Sequence, residues 1–397
     1  MTEKKTYLRT HPWIKFNIDL QSAPTSLWMN LGECKSKCEH ISGAPLRPAV
    51  AEQLSKHFLA KGVLATTAIE GNTLSEEQVL KHLDGKLELP PSREYLKQEI
   101  DNIIEGCNSI TRDIQCGKKP DLTPGRIKEL NKLVLRNLKL SEGVVPGEVR
   151  DYSVGVAHYH GAPAEDCGYL LGLLCEWLNG DVFKPAAGME IVYAIIRAVV
   201  AHLYLAWIHP FGDGNGRTAR LVEFQVLISS GVPAPAAQLL SNHYNQTRSE
   251  YYSQLDRASR SGGDVLAFLD YAVKGFLDGL RDQLAQVWEQ MYDVVWRSYV
   301  HQKFEGHAGA ADERRKNLLL DLSWHKEPVK VAELALLSPR VARAYAAKNA
   351  RTLARDVSKL VEMDLVVIEP SGVRPRKEVI RAFLPVKAEA QACKSSS

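Results

Sequence analysis

The chain has 397 residues, of which 45% are hydrophobic and 24% charged, and its formal net charge is +3. These values are typical of a soluble protein of two or three domains, and the net charge is too small to indicate a partner. The seven cysteines are scattered and odd in number, which excludes an ordinary disulfide framework. No apolar run is expected to reach the length of a bilayer span, because the nearest, 191–208, contains Arg197 and His202. We therefore expect a cytoplasmic protein with no membrane partner.

Most of the first 300 residues are predicted to be helical, because apolar side chains recur every three or four positions. The helix nearest the centre of the chain, 188–207, is apolar nearly all round, which predicts a buried central helix. Between 144 and 163, residues rich in Gly, Val and Tyr predict a β-hairpin or flap. The helices are expected over 48–70, 92–115, 124–138, 165–179, 188–207, 217–230, 245–260 and 264–303.

Residues from about 328 onward carry 13 Lys or Arg against seven Asp or Glu. Three helices, at 330–336, 339–347 and 350–362, and two strands, at 365–369 and 379–383, are expected there. This order is typical of a winged helix-turn-helix. Its basic residues predict contacts with DNA phosphates, and protein contacts or dimerisation are an equal alternative. These residues are Arg340, Arg343, Lys348, Arg351, Arg355, Lys359, Arg374, Arg376 and Lys377.

The segment His209-Pro-Phe-Gly-Asp-Gly-Asn-Gly-Arg-Thr-Ala-Arg220 has the features of a phosphate site. Glycines at 212, 214 and 216 allow backbone N–H groups to converge without a Cβ in the way. A helix is predicted to begin near Arg217, and its N-terminus favours an anion. A tight turn is the alternative explanation for the glycines alone.

The charged side chains of this segment extend the same prediction. Arg217 and Arg220 lie three apart, on one side of the first helical turn, where they can hold two phosphate groups. Asp213 is a hard oxygen ligand suited to Mg²⁺. His209 can accept a proton from an attacking hydroxyl. A helix terminator or a solvated arginine face would explain single features, but not all of them within twelve residues.

This segment resembles the Fic family signature, which has His, Phe, Asp or Glu, Gly-Asn-Gly-Arg and a second Arg at these spacings. The resemblance implies a mainly α-helical Fic core with a hairpin flap, and transfer of AMP from ATP to a Ser, Thr or Tyr hydroxyl of a protein. It makes His209 the base and Asp213 the ligand of Mg²⁺. Nucleotide contacts are then expected from Phe211, Gly212, Gly214, Asn215, Gly216, Arg217 and Arg220.

Thr66-Thr-Ala-Ile-Glu70-Gly71 resembles the inhibitory motif of some Fic proteins. In those proteins the glutamate pairs with the second arginine of the signature, here Arg220, and prevents productive seating of the γ phosphate. The resemblance therefore implies that Glu70 inhibits the enzyme and also contacts the nucleotide. An ordinary glutamate at a helix end is the alternative.

Two further segments resemble the walls of a Fic nucleotide site. The hairpin resembles the flap that binds the target by strand addition, and Val156, Ala157, His158 and Tyr159 are expected to contact the nucleotide. Residues 248–255 resemble the helix beside the adenine, which makes Tyr252 a candidate for stacking on the base. Some relatives carry Asn seven residues later, where this chain has Ser259. Recognition of the base is therefore expected to be looser or differently built.

The predicted organisation is an N-terminal helical region with the inhibitory helix (1–110), a Fic catalytic core (111–285) and a connecting helix (286–327), then a winged-helix domain (328–390) and a disordered tail (391–397). The leading hypothesis is a self-inhibited protein adenylyltransferase. Removal of AMP, transfer of another phosphate-containing group, and a nucleotide-sensing DNA-binding regulator remain alternatives. The sequence also leaves a homodimer open.

Overall fold

A computed structural model describes residues 5–118, 121–156, 159–307 and 309–381. The chain divides into two compact units, Met1–Val287 and Trp288–Ser397. The first unit contains the predicted N-terminal region and catalytic core, and the second contains the predicted winged-helix domain. The predicted tail at 391–397 lies outside the described residues.

The first unit is built mainly from helices. The predicted helix at 245–260 begins only at Arg248, because the chain leaves helical geometry at Thr247. The α-helices are α1 (Tyr7–Thr10), α2 (Thr25–Gly43), α3 (Pro48–Ala68), α4 (Glu76–Leu83), α5 (Glu94–Gln115), α6 (Pro124–Val134), α7 (Ala164–Leu178), α8 (Glu190–Ile208), α9 (Asn215–Ser229), α10 (Leu239–Gln246), α11 (Arg248–Arg260) and α12 (Leu266–Lys303), which has residues in both units. Short 3-10 helices lie at Pro91–Arg93, Asp181–Phe183 and Ala236–Gln238.

Helix α8 is the central helix of this unit and packs against α2, α7 and α9. Its length and composition would allow it to cross a membrane, so the expectation that no run reaches this length is wrong. However, 78% of its apolar window is buried inside the protein. A helix that is apolar on all sides is typical of the buried core of a protein, and α8 occupies such a position.

Within its described residues, the predicted flap contains a short hairpin, β1 (Gly155–Val156) and β2 (Tyr159–His160), in which Gly155 pairs with His160. An isolated bridge joins Val149 to Phe211. The backbone N–H of Arg150 also donates to the carbonyl of Pro210 at 3.0 Å. These contacts fix the flap beside the loop that follows α8.

The second unit combines helices with one antiparallel hairpin. Residues of its apolar core include Trp296, Leu319, Leu334 and Leu360. Its elements after α12 are α13 (Ala310–Leu322), α14 (Pro339–Tyr345), α15 (Ala350–Glu362), β3 (Val366–Glu369) and β4 (Gly372–Pro375), with 3-10 helices at Val331–Leu336 and Lys377–Ile380.

The second strand of this hairpin differs from the sequence prediction. Glu369 pairs directly with Gly372, so the chain reverses over two residues and β4 follows at once. The predicted strand at 379–383 is therefore wrong at 379–380, which belong to a 3-10 helix, and 382–383 lie outside the described residues.

Candidate functional site

His209 ends α8 in the left-handed conformation, with φ +50° and ψ +58°. Its N–H donates to the carbonyl of Leu205 at 2.9 Å, and its own carbonyl accepts from Nε of Arg150 at 2.8 Å. Burial lowers the pKa of its imidazole to about 4. The ring is therefore neutral near pH 7 and able to accept a proton.

Arg150 fastens the flap to this histidine, a role that the sequence did not reveal. Besides the carbonyl of His209, its guanidinium donates to the carbonyls of Tyr152, at 2.6 Å, and Ala162. Its side chain is buried. One arginine thus sets the position of the loop carrying His209 relative to the hairpin.

Asn215 closes the loop after His209 with two hydrogen bonds to one residue. Its Oδ1 accepts from the N–H of Phe211 at 2.9 Å, and its Nδ2 donates to the Phe211 carbonyl at 2.8 Å. Asn131 of α6 donates to the carbonyl of Asp213 at 3.0 Å. These bonds fix the loop that leads into α9. The first N–H groups of a helix have no hydrogen-bond partner within the helix, so those of α9 can face a ligand.

Two glycines of this loop have side-chain ends of other residues close to them. A Cβ on Gly212 would lie 2.1 Å from the hydroxyl oxygen of Tyr152, and a Cβ on Gly216 would lie 2.2 Å from Oε1 of Glu70. Gly214, with φ +75°, provides the left-handed turn into α9. The space beside Gly212 and Gly216 is therefore taken by side chains of the protein itself.

The predicted pairing of Glu70 with Arg220 is present. Nη2 of Arg220 donates to Oε1 of Glu70 at 2.6 Å and to the carbonyl of Thr66 at 2.9 Å. Burial opposes ionisation of Glu70, but the charge and hydrogen bond of Arg220 outweigh it and hold the pKa of the carboxyl below its ordinary value. Glu70 is therefore ionised at neutral pH and occupies this arginine.

Arg248, the first residue of α11, holds the end of the helix that precedes Glu70. Its Nη2 donates to the carbonyl of Ile69 at 2.6 Å, and its Nη1 donates to the carbonyl of Ala68 at 3.4 Å. Arginines near a helix C-terminus commonly bind its last carbonyls. The position of Glu70 thus depends on α11 as well as on α3.

The first motif arginine, Arg217, also contacts carboxylates. Its Nη2 donates to Oδ1 of Asp213 at 3.2 Å, and its Nη1 donates to Oε1 of Glu99 at 3.2 Å. Asp213 is 49% exposed, whereas Arg217 is 7% exposed. Glu99, on α5, was not singled out from the sequence. Each of the two motif arginines is therefore paired with at least one carboxylate of the protein itself.

A cavity of about 540 Å³ lies beside His209 and the start of α9. Six predicted residues line it: Glu70, Tyr159, His209, Asn215, Gly216 and Tyr252. Other predicted residues are not among those that line it: Phe211, Gly212, Asp213, Gly214, Arg217 and Arg220. Ala157 and His158 lie outside the described residues, and nothing is described of the Val156 side chain.

One wall of the cavity consists of residues of α11 that the sequence analysis missed, among them Asp256 and Arg260, which pair at 2.9 Å. Ser259 is buried, is not among the lining residues, and donates to the carbonyl of Asp256 at 2.8 Å. The missed signal is helical spacing, because residues three or four apart share a face with Tyr252. The remaining unpredicted lining residues are Ile69, His202, Ala206, Trp207, Ala219, Tyr251 and Leu255.

Behind that wall lies a buried polar network. Nε2 of His202 is 2.8 Å from the Tyr251 hydroxyl, and the Tyr244 hydroxyl donates to Oε1 of Glu223 at 2.9 Å. Nδ1 of His202 lies 3.2 Å from Oε2 of Glu223. Burial raises the pKa of both tyrosines, so their hydroxyls remain donors at neutral pH. This network fixes the cavity wall formed by His202 and Tyr251.

Comparison with known proteins shows which proteins this chain resembles. Residues 121–227 match the model of the Fic/DOC family. The chain is 31% identical over 218 residues to Protein adenylyltransferase fic-1 of Caenorhabditis elegans, an overlap covering 53% of this chain and 38% of that protein. It is 29% identical over 236 residues to Protein adenylyltransferase Fic of Drosophila melanogaster, covering 58% and 42%. The chain thus spans about two-fifths of the length of these relatives.

Solved structures share the helical fold. A Fic family protein from Desulfovibrio desulfuricans G20 superposes with a TM-score of 0.56 at 19% identity, covering 88% of this chain and 92% of that one. A fragment of C. elegans Fic-1 superposes with a TM-score of 0.52 at 25% identity, covering 66% and 73%. The predicted mainly helical Fic fold is confirmed by these likenesses.

Proposed function

We propose that this chain is a protein adenylyltransferase that transfers AMP from ATP to a hydroxyl side chain of a protein, and that residues 121–227, which match the Fic/DOC family model, carry this activity. The observation that carries the proposal is one cavity lined by His209, by the start of α9 and by Glu70, the partner of Arg220. Its volume of about 540 Å³ lies within the range of small-ligand sites.

In the proposed reaction, His209 takes the proton of a Ser, Thr or Tyr hydroxyl as that oxygen bonds to the α phosphorus. The bond from this phosphorus to the bridging oxygen breaks, and pyrophosphate leaves. Such transfers depend mainly on alignment and on compensating negative charge. Arg217, Arg220 and the free N–H groups at the start of α9 are the groups that would compensate it.

Asp213 fits the role of a Mg²⁺ ligand in this proposal. Its carboxylate is half-exposed at the loop that starts α9. Mg²⁺ commonly takes one or two protein carboxylates together with substrate phosphates, so a single aspartate suffices. Bound there, the ion would neutralise charge on the phosphates. The Asp213 carboxylate would then serve both the ion and Arg217.

The pair formed by Glu70 and Arg220 supports self-inhibition. Arg220 is buried, and Glu70 lines the cavity at its edge. One guanidinium face cannot bind a carboxylate and a phosphate fully at the same time. ATP would therefore displace Glu70 from Arg220 or bind with its γ phosphate misplaced.

The reaction class can be tested with ATP labelled at the α or the γ phosphate, using the full chain and a cell lysate as a source of targets. Adenylylation predicts α label on protein, increased by Glu70→Gly and abolished by His209→Ala. Label from the γ position without the α position would refute it in favour of phosphate transfer. Hydrolytic loss of AMP from a premodified protein would indicate the alternative activity, removal of AMP.

The second unit bears on the proposed DNA partner. Several of its predicted DNA-contacting side chains are paired with carboxylates: Arg340 with Asp321, Arg374 with Glu369 and Glu378, Arg376 with Asp364, and Lys377 with Asp293. Arg351 and Arg355, one turn apart on α15, are exposed. Arg343 and Lys348 are exposed as well, so phosphate contacts would be open to all four side chains. A gel-shift assay with Arg351→Ala/Arg355→Ala tests the contribution of α15.

Location and assembly remain predictions of the sequence. Because α8 is mostly buried by protein, its apolar surface does not require lipid. The winged-helix assignment and the homodimer also remain predictions. Light scattering of the purified chain measures the oligomeric state.

A further inference from the structure

Glu99 has no part in the proposed chemistry, yet it contacts Arg217, which lies in the first turn of α9. Its Oε1 accepts from Nη1 of Arg217 at 3.2 Å. Its side chain is 16% exposed, and that of Arg217 is 7% exposed. An arginine this buried needs a counter-charge, and Glu99 is more buried than Asp213, which also contacts it. Glu99 is therefore the better shielded partner of this arginine.

The orientation of Glu99 is fixed by the segment that follows Glu70. Its Oε2 accepts from Nδ2 of Asn72 at 2.8 Å, and the same nitrogen donates to the carbonyl of Leu96 at 3.0 Å. Asn72 is buried and follows Glu70 by two residues. Both carboxylate oxygens of Glu99 thus have a donor, one of them on the arginine.

Glu70 and Glu99 differ in their relation to the cavity. Glu70 lines it, whereas Glu99 is not among its lining residues. Nε of Arg217 is buried and has no hydrogen-bond partner within the described residues. Arg217 is not among the lining residues either. Because Glu99 holds it without occupying the cavity, this placement favours support of Arg217 over competition with phosphate.

We propose that Glu99 is a positioning residue, which holds Arg217 for the phosphates and limits its pairing with Asp213. The inference rests on the proposed function, since it takes phosphates and Mg²⁺ as the ligands. Without the charge of Glu99, Arg217 pairs more strongly with Asp213, 3.2 Å away. Arg217 then competes with Mg²⁺ for the same carboxylate. Nucleotide binding weakens and requires more Mg²⁺.

The test measures ATP affinity by calorimetry at several Mg²⁺ concentrations, using the full chain. Glu99→Gln keeps the size of the side chain and removes its charge. Losing the carboxylate charge, although the amide oxygen can still accept from Arg217, should weaken ATP binding about tenfold and raise the Mg²⁺ concentration needed for half-maximal binding. The matched control is Glu105→Gln on the same helix, whose pair with Arg112 at 2.8 Å is exposed. We expect it to change neither quantity.

A double-mutant cycle separates positioning from a merely structural role. In an Arg217→Ala chain, Glu99→Gln should have no further effect on ATP affinity. Glu99→Asp, which keeps the charge, should lose less affinity than Glu99→Gln and provides a second variant if Glu99→Gln folds poorly. Tighter ATP binding by Glu99→Gln, or an equal loss with and without Arg217, would overturn the proposal. Failure of the proposed function looks different: a Glu70→Gly chain would bind ATP but attach no AMP to protein.

Discussion

Replacing Glu70 by Gln should increase the affinity for ATP about tenfold. The bond to be weakened joins Nη2 of Arg220 to Oε1 of Glu70 at 2.6 Å; Gln keeps an oxygen acceptor but loses the negative charge. A hydrogen bond to a charged group contributes about 1.5–3 kcal/mol. Because the Glu70 side chain is 35% exposed, solvent screening favours the lower value. About 1.5 kcal/mol corresponds to about tenfold in a binding constant. In the wild type, ATP binding loses this free energy because ATP must displace the carboxylate, and in the variant it does not.

Calorimetry with ATP and with AMP tests this reasoning on one variant. AMP lacks the β and γ phosphates, so its affinity should stay unchanged while that of ATP rises. The ligand-free variant should also melt at a lower temperature, because buried Arg220 loses its counter-charge, and ATP should restore the loss. Glu52→Gln, exposed on helix α3, which precedes Glu70, is the matched control. An equal gain for AMP, or none for ATP, would refute the assignment of Glu70 as a competitor of phosphate.

Three further outcomes follow from the site. Because burial lowers the pKa of His209 to about 4, AMP transfer should stay level as pH falls from about 8 to about 6, and a half-loss near the ordinary pKa of about 6.5 would contradict this environment. Asn215→Ala removes two hydrogen bonds to Phe211, so the free energy of unfolding measured with denaturant should fall by about 2 kcal/mol and AMP transfer should decrease. An unchanged denaturation midpoint would show that these two bonds do not stabilise the loop. Arg248→Ala releases the carbonyls before Glu70 and should raise the rate of auto-modification about fivefold. Arg257→Ala on the same helix should leave this rate unchanged. Equal rates in both variants would show that Arg248 does not hold Glu70 in place.

The sequence by itself determined the features that depend on neighbouring residues. The all-round apolar pattern of α8 predicted a buried helix, and the pattern after His209 predicted a turn into a new helix with convergent N–H groups. Such features follow from sterics and hydrogen bonds within a few positions, so contiguous residues specify them. The role of Glu70 came instead from a family resemblance, and its contact with Arg220 spans 150 positions.

Only the tertiary structure decided which charges face one another. Glu99 meets Arg217 across 118 positions, and Arg150 reaches the carbonyl of His209 across 59. Nothing local to Glu99 distinguishes it from Glu105, which lies on the same helix and pairs at its exposed surface. The difference arises because α5 packs against α9 and brings one of the two carboxylates to a buried arginine. A local pattern predicts that a helix forms, but the packing of helices distant in sequence determines which of its side chains meets a partner.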